Sequence, residues 1–141
     1  MKKKIAILGS TGSIGKTTLS IIDKNKKDFS VYLLSTNKNL NEIIKQSKKF
    51  RPKYVIINDF QTYLKFKKKI KNIKVFNSYE KINKILKRKI DYSISAISGF
   101  EGLEPTLKII PHTRTIAIAN KESLICAWNL IKQKIDKFKI N

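Results

Sequence analysis

Short apolar runs alternate with stretches in which apolar residues recur every three or four positions. KIAIL (residues 4–8) is apolar and stopped by glycine, so it reads as a buried strand. A helix is predicted from about residue 14 to 24, with Ile14, Thr18, Ile21 and Ile22 inward. FSVYLLS (29–35) is a second strand, and residues 40–50 a helix burying Leu40, Ile43 and Ile44. KYVII (53–57) is a third strand. The helix after it starts at Asp59, whose side chain suits an N-cap, and runs to residue 70. IKVF (73–76) is a short strand. Ser78 then caps a helix with Tyr79, Ile82, Ile85 and Leu86 on one face. DYSISAI (91–97) is a strand, 98–102 a loop, 103–110 a short helix and RTIAIA (114–119) a strand.

Apolar strands alternating with amphipathic helices mean a parallel sheet covered on both faces. Right-handed crossovers make it a doubly wound, Rossmann-like α/β sheet, expected to occupy residues 1–141 as one domain. Leu124, Trp128, Ile131, Ile135 and Phe138 then mark one face of a last helix, and the chain stops at Asn141. That helix either packs back on the domain or leads into further protein.

The hydrophobic fraction of 41% is sufficient for a packed core. No apolar run of about 18 residues exists, so no membrane span is expected. The apolar run after Lys2, Lys3 and Lys4 is cut by Gly9, Ser10 and Thr11, which favours a buried strand over a leader peptide. The net charge of +21 raises nucleic acid as a partner. Arg51, Arg88 and Arg114 are the only arginines among 31 basic residues, however, and the lysines are spread over nearly every predicted helix. A solvated lysine surface fits better than a dedicated groove, because planar, bidentate reading favours arginine. One cysteine, Cys126, excludes an internal disulfide, fits a reducing cytoplasm and reads as a buried packing thiol. His112 has no second His or Cys near it in sequence and reads as a surface residue.

Chemistry concentrates in GSTGSIGKT (9–17). A P-loop would need glycine at position 10, where Ser10 stands, and starting from Gly9 makes the loop one residue too long. It would also need an Asp at a strand end for magnesium, and Asp59 is better used as a cap. Gly9-x-x-Gly12-x-x-Gly15 is closer to a dinucleotide turn with a wider first step. Gly12 would let a pyrophosphate approach the backbone, and Gly15 would let helix and strand pack closely. The amides of Thr11, Gly12, Ser13 and Ile14 lie where the helix dipole favours anions. The bare motif leaves a plain glycine-rich turn open as well. The second strand ends LLSTNKN (33–39) without the acid that binds an NAD ribose. Lys38 could pair with a 2′-phosphate, helped by Ser35, Thr36, Asn37 and Asn39, which favours NADPH over NADH. Asn120, Lys121, Glu122 and Ser123 follow the last strand, at the sheet edge where ligands bind in such folds.

ILGSTGSIG (7–15), AISGFEGLEPTL (96–107) and IANKESL (118–124), in this order, resemble the 1-deoxy-D-xylulose 5-phosphate reductoisomerase family. The resemblance covers almost the whole chain. It implies NADPH-dependent rearrangement and reduction of 1-deoxy-D-xylulose 5-phosphate to 2-C-methyl-D-erythritol 4-phosphate, in non-mevalonate isoprenoid synthesis, with Mg2+, Mn2+ or Co2+. By matching position it implies NADPH contacts at Thr11, Gly12, Ser13, Ile14, Asn37, Lys38, Asn39, Asn120 and Glu122. Lys121 would contact the phosphorylated sugar, and Gly99 and Gly102 would shape a loop beside the nicotinamide. The family often has Gly where Asn37 stands. Its metal ligands lie in a VDSEH-like segment and further on, its catalytic domain and lid follow, and this sequence has none of these. The resemblance therefore implies no catalytic residue and no metal ligand within these 141 residues, which alone should bind NADPH without turnover. It also implies a cytoplasmic homodimer, formed largely through parts absent here.

Overall fold

The computed structural model describes Met1–Asn141. Six strands form one sheet: β1 (Lys3–Leu8), β2 (Phe29–Thr36), β3 (Tyr54–Ile57), β4 (Lys74–Phe76), β5 (Ile90–Ser95) and β6 (Thr113–Ile118). Their order is β4-β3-β2-β1-β5-β6, and every pairing is parallel. The chain steps outward in one direction from β1 to β4, then returns across β1 to lay down β5 and β6. The direction of winding reverses between β1 and β5, which opens a crevice at the carboxyl ends of the strands. The doubly wound α/β fold read from the sequence is the fold observed.

Alternation along the strands builds two cores. Ile5 and Ile7 face one side with Val31, Leu34, Val55 and Ile57, against α1 (Ser13–Lys24), α2 (Leu40–Phe50) and α3 (Phe60–Lys69). Ala6 and Leu8 face the other side with Leu33 and Ile56, beneath Tyr79, Ile82, Ile85, Leu86 and Ile109. A smaller cluster centred on Ile110, Ile131 and Ile140 seats α6 (Lys121–Phe138). Asn141 pairs along the edge of β6: it donates to the Arg114 carbonyl at 3.1 Å and accepts from the Ile116 amide at 2.8 Å. No helix is long and apolar enough to cross a membrane.

Several local readings need correction. In α1 the buried residues are Gly15, Leu19 and Ile22, whereas Ile14 and Ile21 are exposed. The close fit of Gly15 against the preceding turn sets the helix rotation, and a glycine carries no hydrophobic signal. The helix expected after Ser78 is a 3-10 turn (Tyr79–Lys81) followed by the single turn α4 (Ile82–Ile85), although its four apolar residues are all buried as expected. The expected loop at 98–102 contains a 3-10 turn (Phe100–Gly102) that leads into α5 (Leu103–Ile109), and a further 3-10 turn (Ile110–His112) follows. Cys126 is exposed, not buried. Five residues before Ile131, it lies well over a quarter-turn from the packed face at about 100° per residue, and α6 is kinked at Ala127. Trp128, next to the kink, is about half exposed. His112 is half-buried, its Nδ1 3.1 Å from the Leu86 carbonyl and its Nε2 2.6 Å from Asn83 Oδ1.

Candidate functional site

The glycine turn connects β1 to α1 at the crevice. Gly9 has φ 79°, a left-handed conformation that L side chains resist, and a Cβ there would lie 2.9 Å from the Ala96 backbone. A Cβ on Gly15 would lie 2.5 Å from the Gly9 carbonyl oxygen. Both glycines are therefore required by packing. Gly12 differs: it is exposed, and its nearest neighbour at that position is the Gly9 oxygen at 3.6 Å. No contact within the protein requires its small size.

Helix capping points to the same place. Asn39 caps α2 by accepting from the Glu42 amide, Asp59 caps α3 by accepting from Thr62, and Asn120 caps α6 by accepting from Ser123. Of the four long helices, α1 alone has no side-chain cap, and no acid stands in its first turn. Its first amides have no intrahelical acceptor and carry the positive end of the helix dipole. A helix end of this kind favours a negative charge placed at the mouth of the crevice.

Ser35, at the end of β2, holds this turn in place. Its carbonyl accepts from the Ser10 amide at 2.8 Å and the Ser10 hydroxyl at 3.1 Å. Its Oγ accepts from the Gly9 amide at 2.9 Å and from the Tyr79 hydroxyl at 2.6 Å. Thr11 and Thr36 share a hydroxyl hydrogen bond of 2.7 Å, and Gln46 Nε2 donates to the Ser10 carbonyl at 2.9 Å from the α2 side. One strand, one helix and the 79–81 turn thus fix a loop of a few residues.

A cleft of about 470 Å³ opens above it. Gly9, Thr11 and Gly12 form one wall, Ser35, Thr36, Asn37 and Asn58 a second, and Ala96, Ile97 and Ser98 a third. The third wall is braced from α6: Asn120 Nδ2 donates to the Gly99 carbonyl at 2.8 Å, and Gly102 packs directly against the Asn120 amide. Glu101 and Glu104 stand at the rim. Lys108 bridges Glu104 (2.6 Å) and Glu80, and these bonds hold its ammonium above its usual pKa. Such a cleft, lined mostly by polar residues and backed by the amino end of α1, suits a ligand with linked phosphates.

The sequence profile described as 1-deoxy-D-xylulose 5-phosphate reductoisomerase matches residues 5–128. The chain belongs to this family. Among the reductoisomerases, that of Pelagibacter ubique is 55% identical over 141 residues, and that of Clostridium tetani 41% identical over 144. These alignments cover 97% and 99% of this chain but only 36% and 38% of those relatives. The reductoisomerase from Zymomonas mobilis in complex with NADPH superposes with a TM-score of 0.91 at 28% identity, over 100% of this chain and 38% of its own. A reductoisomerase crystal structure with NADPH, fosmidomycin and magnesium gives a TM-score of 0.89 at 26% identity, over 99% of this chain and 35% of its own.

The structure places the residues that the reductoisomerase resemblance singles out in two groups. Thr11, Gly12 and Asn37 line the cleft, and Ser13 and Ile14 open α1 beside it. Lys38 is exposed just beyond Asn37. Asn37 has no positive φ, so the change from the family's common glycine requires no left-handed backbone here. The side chains of Ser35, Thr36 and Asn39 are engaged within the protein, as is that of Asn120. Lys121 is exposed and Glu122 half-buried on the first turn of α6, across the Gly99 loop from the glycine turn. The lysine that suggested a P-loop does not fold over the turn: Lys16 extends toward Glu42 on α2, at 4.0 Å. Sequence reasoning missed Tyr79, Gln46 and Asn58. Tyr79 read as one more apolar face residue, and no local pattern marks bonds made 44 and 36 positions away.

Proposed function

We propose that residues 1–141 form a single NADPH-binding domain of a 1-deoxy-D-xylulose 5-phosphate reductoisomerase. The uncapped amino end of α1 beneath the Gly9–Gly15 turn carries this reading. In it, the amides of Thr11, Gly12, Ser13 and Ile14 hold the pyrophosphate, which reaches them across the open face of Gly12. Asn37, Lys38 and Asn39 bind the adenosine end. The end of β2 carries no acid, and Lys38 supplies a cation for a 2′-phosphate, so NADPH is favoured over NADH. The Ala96–Gly99 wall, braced by Asn120, lies against the nicotinamide half, with Glu122 near the cofactor and Lys121 facing the phosphorylated sugar. Bound NADPH supplies the hydride.

The relatives are longer, so the full reaction is proposed for a longer protein: rearrangement and reduction to 2-C-methyl-D-erythritol 4-phosphate, by a cytoplasmic homodimer. No three His, Cys, Asp or Glu side chains converge within these residues, and no metal step is assigned to them. Thermal denaturation tests the reading. NADPH should raise the midpoint well above the effect of equimolar NADH or ATP–Mg2+, because a ligand bound only to the folded state stabilises it by mass action. An equal or larger shift with ATP–Mg2+ would overturn it.

A further inference from the structure

Tyr79 makes the most distant of the bonds that converge on the glycine turn. Its ring is buried among Ala6, Leu33, Ile82 and Ile85, and its hydroxyl reaches Ser35 Oγ at 2.6 Å. A serine oxygen has two acceptor sites and one proton. The Gly9 amide and the Tyr79 hydroxyl fill both acceptor sites, so the rotation of Ser35 is fixed from two sides. Burial holds the phenol protonated well above its ordinary pKa, which keeps it a donor at any physiological pH. The short segment that carries Tyr79 is itself anchored, since Lys108 ties Glu80 to Glu104 on α5. Gly9 in turn holds φ 79°, one of several backbone conformations open to glycine, and the bond from its amide to Ser35 Oγ helps to select it.

We propose that Tyr79 is a positioning residue for the dinucleotide: through Ser35 it holds the Gly9 turn in the shape that presents the first amides of α1. It acts on the pyrophosphate end of the ligand, not on the adenosine end. This inference rests on the NADPH reading above.

Four proteins test it: the wild-type chain, Tyr79→Phe, Ser35→Ala and the double variant. Each is titrated with NADPH and with adenosine 2′-monophosphate, which has the 2′-phosphate but no pyrophosphate. Tyr79→Phe keeps the ring and its packing. It should weaken NADPH binding roughly 3- to 10-fold, the scale of one buried neutral hydrogen bond, and leave adenosine 2′-monophosphate binding unchanged. Ser35→Ala should show the same selective loss, and the double variant should be no weaker than Ser35→Ala, because the two side chains act in series. If Tyr79→Phe does not fold, the selectivity of Ser35→Ala decides. Unchanged NADPH affinity in Tyr79→Phe, equal losses on both probes, or additive losses in the double variant would each overturn the inference while leaving the NADPH reading intact. Failure of the wild-type chain to bind NADPH would overturn the reading itself.

Discussion

Three glycines in one turn have different duties, and substitution separates them. Gly15→Ala would set a methyl group 2.5 Å from the Gly9 carbonyl, so the turn or helix must shift, at a cost of about 1–3 kcal/mol. Urea denaturation should show that loss. Gly12→Ala meets nothing closer than 3.6 Å within the protein, and its denaturation midpoint should stay near that of the wild-type chain. The added methyl stands where the pyrophosphate is proposed to approach, so NADPH affinity should fall at least about tenfold, the loss expected when about 1.4 kcal/mol of binding is removed. Unaltered binding in Gly12→Ala would place the ligand elsewhere. Asn120 shows how a residue marked by resemblance can serve the site indirectly. Its side chain caps α6 and braces the Gly99 loop, so Asn120→Ala should cost about 0.5–2 kcal/mol through the lost cap, measured by the same denaturation.

Strands were the most legible elements. A parallel strand buried on both faces must be apolar throughout, so YVII of β3 carries its own label. Caps were legible too, since Asp59 and Ser78 accept the bonds expected of them. Helix rotation was less so: the α1 face depends on Gly15, and the phase of α6 slips at the Ala127 kink, so that Cys126 before it is exposed while Ile131 after it is buried. The glycine turn could be read because its chemistry is local backbone geometry. Its supports could not, because Tyr79 and Gln46 reach it only once the sheet is assembled. At this scale His112 gives a pH test. It ties the approach to β6 to the end of α4, and burial lowers its pKa below 6.5, with the Leu86 carbonyl opposing in part. A base whose folded pKa is depressed binds protons more readily when unfolded. The stability it contributes is complete above the unfolded value of 6.5 and is lost as pH falls toward the lower folded value. Urea midpoints should decline through that window, and His112→Gln should flatten the decline. An identical pH profile in the variant would remove His112 as its source.

For the molecule as a whole, topology and charge have opposite consequences for recognition. Reversal of winding between β1 and β5 makes one crevice, and the glycine turn, the β2 end and the Ala96–Gly99 wall meet around it. A net charge of +21 instead attracts any polyphosphate, wherever it lands. Salt distinguishes the two, because exposed charge is screened within about 8 Å at physiological ionic strength, whereas a ligand on fixed amides in a cleft is screened less. Recognition of NADPH by this cleft, as proposed, is tested most directly by titrating the 141-residue chain with NADPH, following the nicotinamide fluorescence, at physiological and at high salt, with NADH in parallel. Saturable one-to-one binding that persists at high salt and is tighter for NADPH than for NADH is the predicted result. Binding that does not saturate, or that vanishes with salt and treats the two nucleotides alike, would contradict it.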